Sequence, residues 1–401
     1  MDTSKKIFVS IMLGKDTLPV GKIWFYNRKG RQSSSFEYDI EWLNSPNRFA
    51  LEPALTLTEG TFHTNNEQFL FGAIGDSAPD RWGRILMQRA NDTGRALTEL
   101  DYLLGVNDEI RQGALRFSEA EGKYLATGDK SSIPPLIKLP ELLSASEKFL
   151  ANNETPEELR MLLLPGSSLG GARPKSSVID KDGSLAIAKF PRKDDDADIV
   201  RWEAVALSLA KKAGIAVPEF RLETIAEKSV LIIKRFDRKN DERIPFLSAM
   251  SMLGAADNDG QIHSYVDIAN ALRQYGAQPN KDREELWRRM IFNVMINNTD
   301  DHLRNHGFLY ADGLGWVLSP AYDLNPEINK KVFATAIDHT GAQNTLDLAM
   351  QKIEPFNLSL KQSKEILDEV KTVVSGWRAT AKNFGISKHD SDKMNLAFQS
   401  D

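Results

Sequence analysis

Alternation of apolar and polar side chains is strongest at the start of the chain. Residues 6–14, 21–26 and 35–43 read as strands separated by polar and glycine-bearing turns, which predicts a small antiparallel meander. A helix is expected after Gly72, with Ser77 as its cap and Pro79 and Asp80 in its first turn, and a second over 97–104. Residues 113–117 and 123–126 predict a hairpin, and the proline-bearing stretch 131–140 predicts a linker, placing a boundary near 130. Helical spacing then carries Leu142, Leu143, Phe149, Leu159, Leu162 and Leu163 across 140–164.

Beyond this point strands and helices alternate. A hairpin turning at Lys181, Asp182 and Gly183 precedes an amphipathic helix over 198–213, then strands at 220–225 and 229–234. Helices are predicted at 246–253, 265–275 and 283–296, a hairpin joins 308–310 to 316–318, and 358–385 is amphipathic helix. The expectation is an α+β chain in three parts: β-rich 1–130, a mixed 131–245 and a mostly helical 246–401.

Composition narrows the class. Hydrophobic residues at 41% and charged residues at 27% suit a globular protein rather than a disordered one. With no cysteine there is neither a disulfide framework nor a thiolate metal site. A formal net charge of −5 argues against wholesale wrapping of nucleic acid. Lys371, Arg378, Lys382 and Lys388 read as a solvated helix face, with a local basic patch as the alternative. The first ten residues lack the apolar run of a signal peptide or membrane span, so a cytoplasmic, membrane-free protein is expected.

Candidate chemistry is densest in the last third. Asp300, Asp301, His302 and Asn305 crowd a helix exit, and Asp323 follows a hairpin. A carboxylate, an asparagine five residues on and a second carboxylate beyond a hairpin follow the order of base, metal-binding Asn and metal-binding Asp in protein kinases. Phosphoryl transfer needs positioned charge: Asp300 to take the acceptor's proton, Asn305 and Asp323 to hold Mg²⁺. The same residues would also suit a helix end with Asx turns. His302 and His306 lack a third zinc ligand at suitable spacing and read as loop-ordering groups.

Upstream lie matching parts. Residues 165–178 are rich in small side chains, and Gly170 and Gly171 permit the turn that aims N–H groups at a phosphate, with Arg173 and Lys175 adding charge. Lys189 shares one strand face with Leu185 and Ile187. Glu203 falls among core-facing positions of its helix, where a buried carboxylate needs a partner, and Lys189 is the expected one. Lys234, Arg235 and Phe236 stand where a hinge would read adenine, although Arg235 and Arg238 can instead pair with Asp237. Asp76, Asp80 and Arg81 read as capping and surface-pairing groups rather than as a polar site.

Taken together, Ser168-Leu-Gly-Gly-Ala-Arg-Pro-Lys175, Lys189, Arg235-Phe-Asp-Arg, Thr299-Asp-Asp-His-Leu-Arg-Asn305 and Tyr322-Asp323 resemble the HipA family of bacterial serine/threonine kinases, toxins of toxin–antitoxin pairs. The resemblance implies a two-lobed protein-kinase-like fold with an additional β-rich N-terminal subdomain. It implies Asp300 as base and Asn305 and Asp323 as Mg²⁺ ligands. ATP contacts would come from Gly170, Gly171, Ala172, Arg173, Pro174, Lys175, Lys189, Lys234, Arg235, Phe236, His302, Leu303, Arg304, Asn305, Tyr322 and Asp323. Ser168 stands at the family's self-phosphorylated position, with Ser167 a competing hydroxyl, and Arg173-Pro174 departs from the Gln-Glu of the best-known members. A dianion there would repel nucleotide and eject the loop. The resemblance further implies a helix-turn-helix antitoxin that carries the operator DNA contacts and, in some members, an aminoacyl-tRNA synthetase substrate. Two other readings stay open: a non-catalytic nucleotide-fold partner of a DNA-binding repressor, and a kinase for a small-molecule acceptor.

Overall fold

The computed structural model describes all residues except 1–2, 29–30, 65–67, 121–122, 126–132, 167–170, 258, 312, 342 and 399–401. The chain divides into two compact units: Met1–Asp194 with Glu223–Leu247 and Gly254–Ala256, and Asp195–Leu222 with Ser248–Leu253 and Asp257–Asp401. Together they make an α+β protein.

The first unit begins with the predicted meander. Strands β1 (Thr3–Leu13), β2 (Asp16–Arg28), β3 (Arg31–Tyr38), β4 (Phe62–His63), β5 (Leu115–Ala120) and β6 (Lys123–Tyr124) form an antiparallel sheet in the order β4-β3-β2-β1-β5-β6. Ile7, Val9 and Ile11 on β1 are buried at period two, facing one layer. The third strand stops at Tyr38, short of the predicted residue 43, and Ile40–Asn44 turns into a helix. Tyr38 accounts for the stop: its buried hydroxyl donates to Leu55 O at 2.8 Å and accepts from Leu51 N at 3.1 Å, drawing the following segment across the sheet.

Asp80, not Ser77, caps the helix Arg81–Arg89, accepting from Arg81 N at 2.7 Å. The Ser77 hydroxyl is engaged by the preceding turn, donating to Ala73 O at 3.3 Å. Residues 140–164 form two helices, Leu139–Leu150 and Pro156–Gly166, broken where Asn152 takes a positive φ of 56°. They cover a second antiparallel sheet, ordered β7 (Lys175–Ile179), β8 (Leu185–Lys189), β10 (Lys228–Lys234), β9 (Phe220–Ile225). Ala186 and Ala188 give β8 a flat core face, and Trp82, Leu142, Phe149 and Leu162 pack in the same cluster.

The second unit is mostly helical. Ile199–Lys212 buries Val200, Trp202, Val205 and Leu209 and is capped by Asp198. The capping box of Ser264 and Asp267 starts Tyr265–Tyr275 at the predicted residue, and Pro279–Met295 is the long helix that leads to the acidic cluster. At 246–248 the chain is strand rather than predicted helix; Ser248 then caps the short helix Ala249–Met252. The hairpin Gly307–Ala311 with Gly315–Leu318 follows, and the C-terminal amphipathic stretch splits into Leu360–Ser375 and Trp377–Asn383 at Gly376. No helix among the described residues is long and apolar enough to cross a membrane.

Candidate active site

The acidic cluster of the second unit is built by the end of Pro279–Met295. Its Asn293 faces inward, and after Ile296 the backbone reverses at Asn297, whose φ of 50° lies in the left-handed region that Asn tolerates. The carbonyl of Asp300 then accepts from His302 N at 2.8 Å and from Asn305 Nδ2 at 3.2 Å. That second bond orients the Asn305 amide. Its nitrogen is used within the loop, leaving Oδ1 as the side chain's acceptor. The Asp300 side chain is 71% exposed, with Lys330 Nζ 3.7 Å away, so its carboxylate is open to an incoming group.

Asp301 points the opposite way. It is 3% exposed and accepts from the Tyr265 hydroxyl and from His306 Nε2 at 2.9 Å. Burial pushes its pKa up, but His306, Tyr265 and His302 outweigh this and hold it below the usual carboxylate range. Tyr265 is driven well above its ordinary value by burial and by the Asp301 charge, and its ring meets His306 edge-on at 5.3 Å. Asn293 Nδ2 donates to Tyr265 Oη at 2.9 Å, and Asn298 Nδ2 to Asn293 Oδ1 at 3.2 Å. This chain of polar groups is the packing device beneath Asp300. The loop-ordering role expected for His306 is what the structure shows.

Asp323 reaches the same loop by two bonds that bracket it. The Tyr322 hydroxyl donates to Arg304 O at 2.6 Å, and Asn325 N donates to Asn298 Oδ1 at 3.4 Å. Asp323 itself has a φ of 59°, a conformation that is uncommon outside glycine. Further ties come from Asn297 Nδ2 to Lys330 O at 3.0 Å and from Ala334 N to Thr299 O at 2.9 Å. The three asparagines 293, 297 and 298 carried no signal as a group in the sequence, yet Asn297 and Asn298 hold the two loops together and Asn293 braces Asn298 from the helix. Arg304 is engaged by Asp257 in a two-pronged ion pair at 2.6 and 2.8 Å, and Leu303 is buried.

Among the described residues no group of three or more His, Asp or Glu is placed to hold a metal ion. Magnesium does not require one. It is commonly held by one or two protein oxygens plus phosphates and water, and the Asn305 amide oxygen and Asp323 carboxylate are hard donors of that kind.

In the first unit, Gly170 and Ser168, with Ser167, lie outside the described residues. Gly171 has a φ of 84°, and its N–H donates to the Asp80 carboxylate, so that amide is committed within the protein. Lys175 and Lys189 stand directly opposite each other on β7 and β8, which puts two ammonium groups on one sheet face. Leu185 and Ile187 share that face as expected, but it is the half-buried one; the core face belongs to Ala186 and Ala188. Pro174 O accepts from Phe190 N at 3.0 Å, while Ala172 is exposed and Arg173 half-buried.

The hinge segment is more heavily engaged than its sequence suggested. Arg235 N donates to Leu185 O at 3.0 Å, and its buried guanidinium binds Asp237 at 2.6 and 2.8 Å and Ile110 O at 2.6 Å. Arg238 binds the same carboxylate at 2.9 Å and Arg111 O at 2.6 Å, while Gly113 N donates to Asp237 at 2.8 Å. Burial raises the Asp237 pKa, yet Arg235 and Arg238 hold it well below the ordinary range. The pairing of Arg235 and Arg238 with Asp237 is therefore the structural outcome. Lys234 meets Asp182 at 3.0 Å on the surface, and Phe236 packs near Phe246 with ring centroids 6.4 Å apart. Lys189 belongs to the first unit and the buried Glu203 to the second.

Comparison with known proteins places this arrangement. The chain is 26% identical over 234 residues to a Haemophilus influenzae protein named "Putative kinase", covering 52% of this chain and 63% of that protein. It is 28% identical over 322 residues to "Putative kinase Y4mE" of Sinorhizobium fredii, covering 72% and 71% of the two chains. A match to "Putative kinase Y4dM" of the same organism covers 56% of its length, so the chain spans less than two thirds of some of these relatives. A chain in the solved structure of the Shewanella oneidensis MR-1 toxin antitoxin system HipA, HipB and its operator DNA complex superposes with a TM-score of 0.70, at 16% identity, covering 97% of this chain and 94% of that one. That likeness establishes the same fold. The model of the HipA-like C-terminal domain matches residues 167–377, just over half of the 401 residues, and the chain belongs to the HipA family.

Proposed function

We propose that this protein is an ATP- and Mg²⁺-dependent serine/threonine protein kinase. The observation that carries the reading is the pair of bonds from Tyr322 to Arg304 and from Asn325 to Asn298, which set Asp323 against the loop bearing Asp300 and Asn305. In this reading Asp300, exposed and mounted on a buried polar base, accepts the proton of the acceptor hydroxyl. Asn305 Oδ1 and the Asp323 carboxylate hold Mg²⁺. When bound, the ion offsets charge on the nucleotide phosphates. Lys175 and Lys189 draw phosphate to their shared sheet face, and the remaining nucleotide contacts come from Gly170 to Pro174, Lys234 to Phe236, His302 to Arg304 and Tyr322. Since Gly171 N is taken by Asp80 and the Arg235 N–H and guanidinium are taken within the fold, these two residues would contribute through shape and carbonyl groups.

The same proposal extends to regulation and setting. Phosphorylation of Ser168, or of Ser167, switches the enzyme off by adding about −1.5 to −2 charge to a loop meant for nucleotide. The protein acts in the cytoplasm as the toxin of a toxin–antitoxin pair, its partner a helix-turn-helix repressor comparable to the HipB named in the Shewanella complex, with operator DNA bound mainly through that partner. An aminoacyl-tRNA synthetase is a candidate substrate. The three functional parts remain 1–130, 131–245 and 246–401.

The test is labelling with radioactive ATP and Mg²⁺. Wild type should transfer phosphate to itself and to a protein acceptor, and Asp300→Asn or Asp323→Asn should lower the rate by at least ~10²-fold. Equal labelling in all three proteins, or transfer only to a metabolite, would reject the reading.

A further inference from the structure

Both stems of the glycine-rich loop rest on one helix, Arg81–Arg89, and its Asp80 cap. At the leading stem, Gly166 is packed so closely that an added Cβ would lie 2.8 Å from Leu86 Cδ1 and 3.3 Å from Trp82 Nε1. At the trailing stem, the Asp80 carboxylate accepts from Gly171 N, Trp82 N donates to Gly171 O at 3.1 Å, and Trp82 Nε1 donates to Lys175 O at 2.9 Å. Trp82 is 1% exposed and meets Phe149 edge-on at 5.4 Å, so the platform under these bonds is rigid core. Asp80 divides its two oxygens: Oδ1 caps its own helix at Arg81 N, and Oδ2 reaches the loop 91 residues away.

The geometry points to Asp80 and Trp82 as positioning residues that clasp the glycine-rich loop at both ends and so set the place of Lys175 beside Lys189. The inference rests on the kinase reading above but names residues outside the nucleotide site. Its physical basis is entropic. A glycine-rich segment has many backbone states, and anchoring both ends removes most of them before nucleotide arrives.

Three variants separate the clasp from helix capping. Asp80→Ala loses both bonds. Asp80→Ser keeps a good cap, but its shorter side chain has one oxygen and cannot also reach Gly171. Trp82→Phe keeps the ring and loses the indole donor. All three should raise the KM for ATP about tenfold with little change in kcat, the cost of roughly one hydrogen bond. Amide exchange at residues 171–175 should quicken while exchange in the β1–β2 strands stays slow. Overturning results are Asp80→Ser indistinguishable from wild type in both measurements, faster exchange with an unchanged KM, or a lowered KM. Should the wild type neither bind nor turn over ATP, the kinase reading fails, while unaltered exchange in Asp80→Ser would by itself sink the clasp.

Discussion

Tyr322 donates its hydroxyl to the backbone carbonyl of Arg304 across 2.6 Å, joining the residue before Asp323 to the residue before Asn305. The two proposed magnesium ligands are thus each one peptide from the same hydrogen bond. A shift in that bond moves both oxygens, and small displacements of this kind cost far more in rate than in stability.

Tyr322→Phe should therefore separate the two effects. Loss of one partly buried hydrogen bond is expected to destabilise the fold by about 1 kcal/mol. Phosphoryl transfer should fall by tenfold or more, and added Mg²⁺ should restore part of it. Urea denaturation alongside a Mg²⁺ titration of the rate checks both arms.

Asp301 makes a pH prediction. Its pKa is depressed in the folded state, because the opposing cost of burial is outweighed by His306 and Tyr265. A depressed carboxyl stabilises the fold above its unfolded pKa and loses that contribution as pH falls through the folded value. Asp301→Asn should cost about 3 kcal/mol at pH 7, leaving His306 without its anionic partner. The variant should also show a shallower loss of stability on acidification than wild type, read from chemical denaturation across the acid range.

Glu52 makes the opposite one. Burial raises its pKa to about 7, against the hydrogen bond from Ala73 N and with help from Asp76. A raised carboxyl favours the protonated form, so stability is lost as pH climbs from about 4.5 and the loss levels off above about 7. Glu52→Gln keeps an acceptor for Ala73 N and removes the charge. It should be the more stable protein at pH 8, by on the order of 3 kcal/mol, and close to wild type at pH 4.5. Thermal unfolding at the two pH values decides the sign.

Asp237 holds two buried cations. Asp237→Ala would leave Arg235 and Arg238 without their shared carboxylate and strand the Gly113 N–H, costing about 3–5 kcal/mol. Arg235→Met with Arg238→Met in the same background should recover part of that loss, since the cost lies in unpaired charge rather than in lost attraction. Denaturant midpoints of the single and triple variants measure it.

The sequence by itself determined what is local. Period-two burial in β1 and the periodicity of the helix Tyr265–Tyr275 follow from neighbours a few residues apart, because side-chain period acts at that range, and the order of Asp300, Asn305 and Asp323 is written in the chain itself. Tertiary structure alone decided the rest. Ser77 was a sound cap by composition, but its hydroxyl is drawn to Ala73, and Asp80 serves both Arg81 and a loop 91 residues on. For Arg235 the sequence left a ligand and Asp237 both open, and the fold decided by pairing its guanidinium with Asp237 and with Ile110 O, 125 residues earlier. The strand end at Tyr38 was set the same way, by the partner a polar group meets once more distant segments pack. Such partners leave no spacing to read, since a buried donor or acceptor must be satisfied by whatever the fold brings beside it.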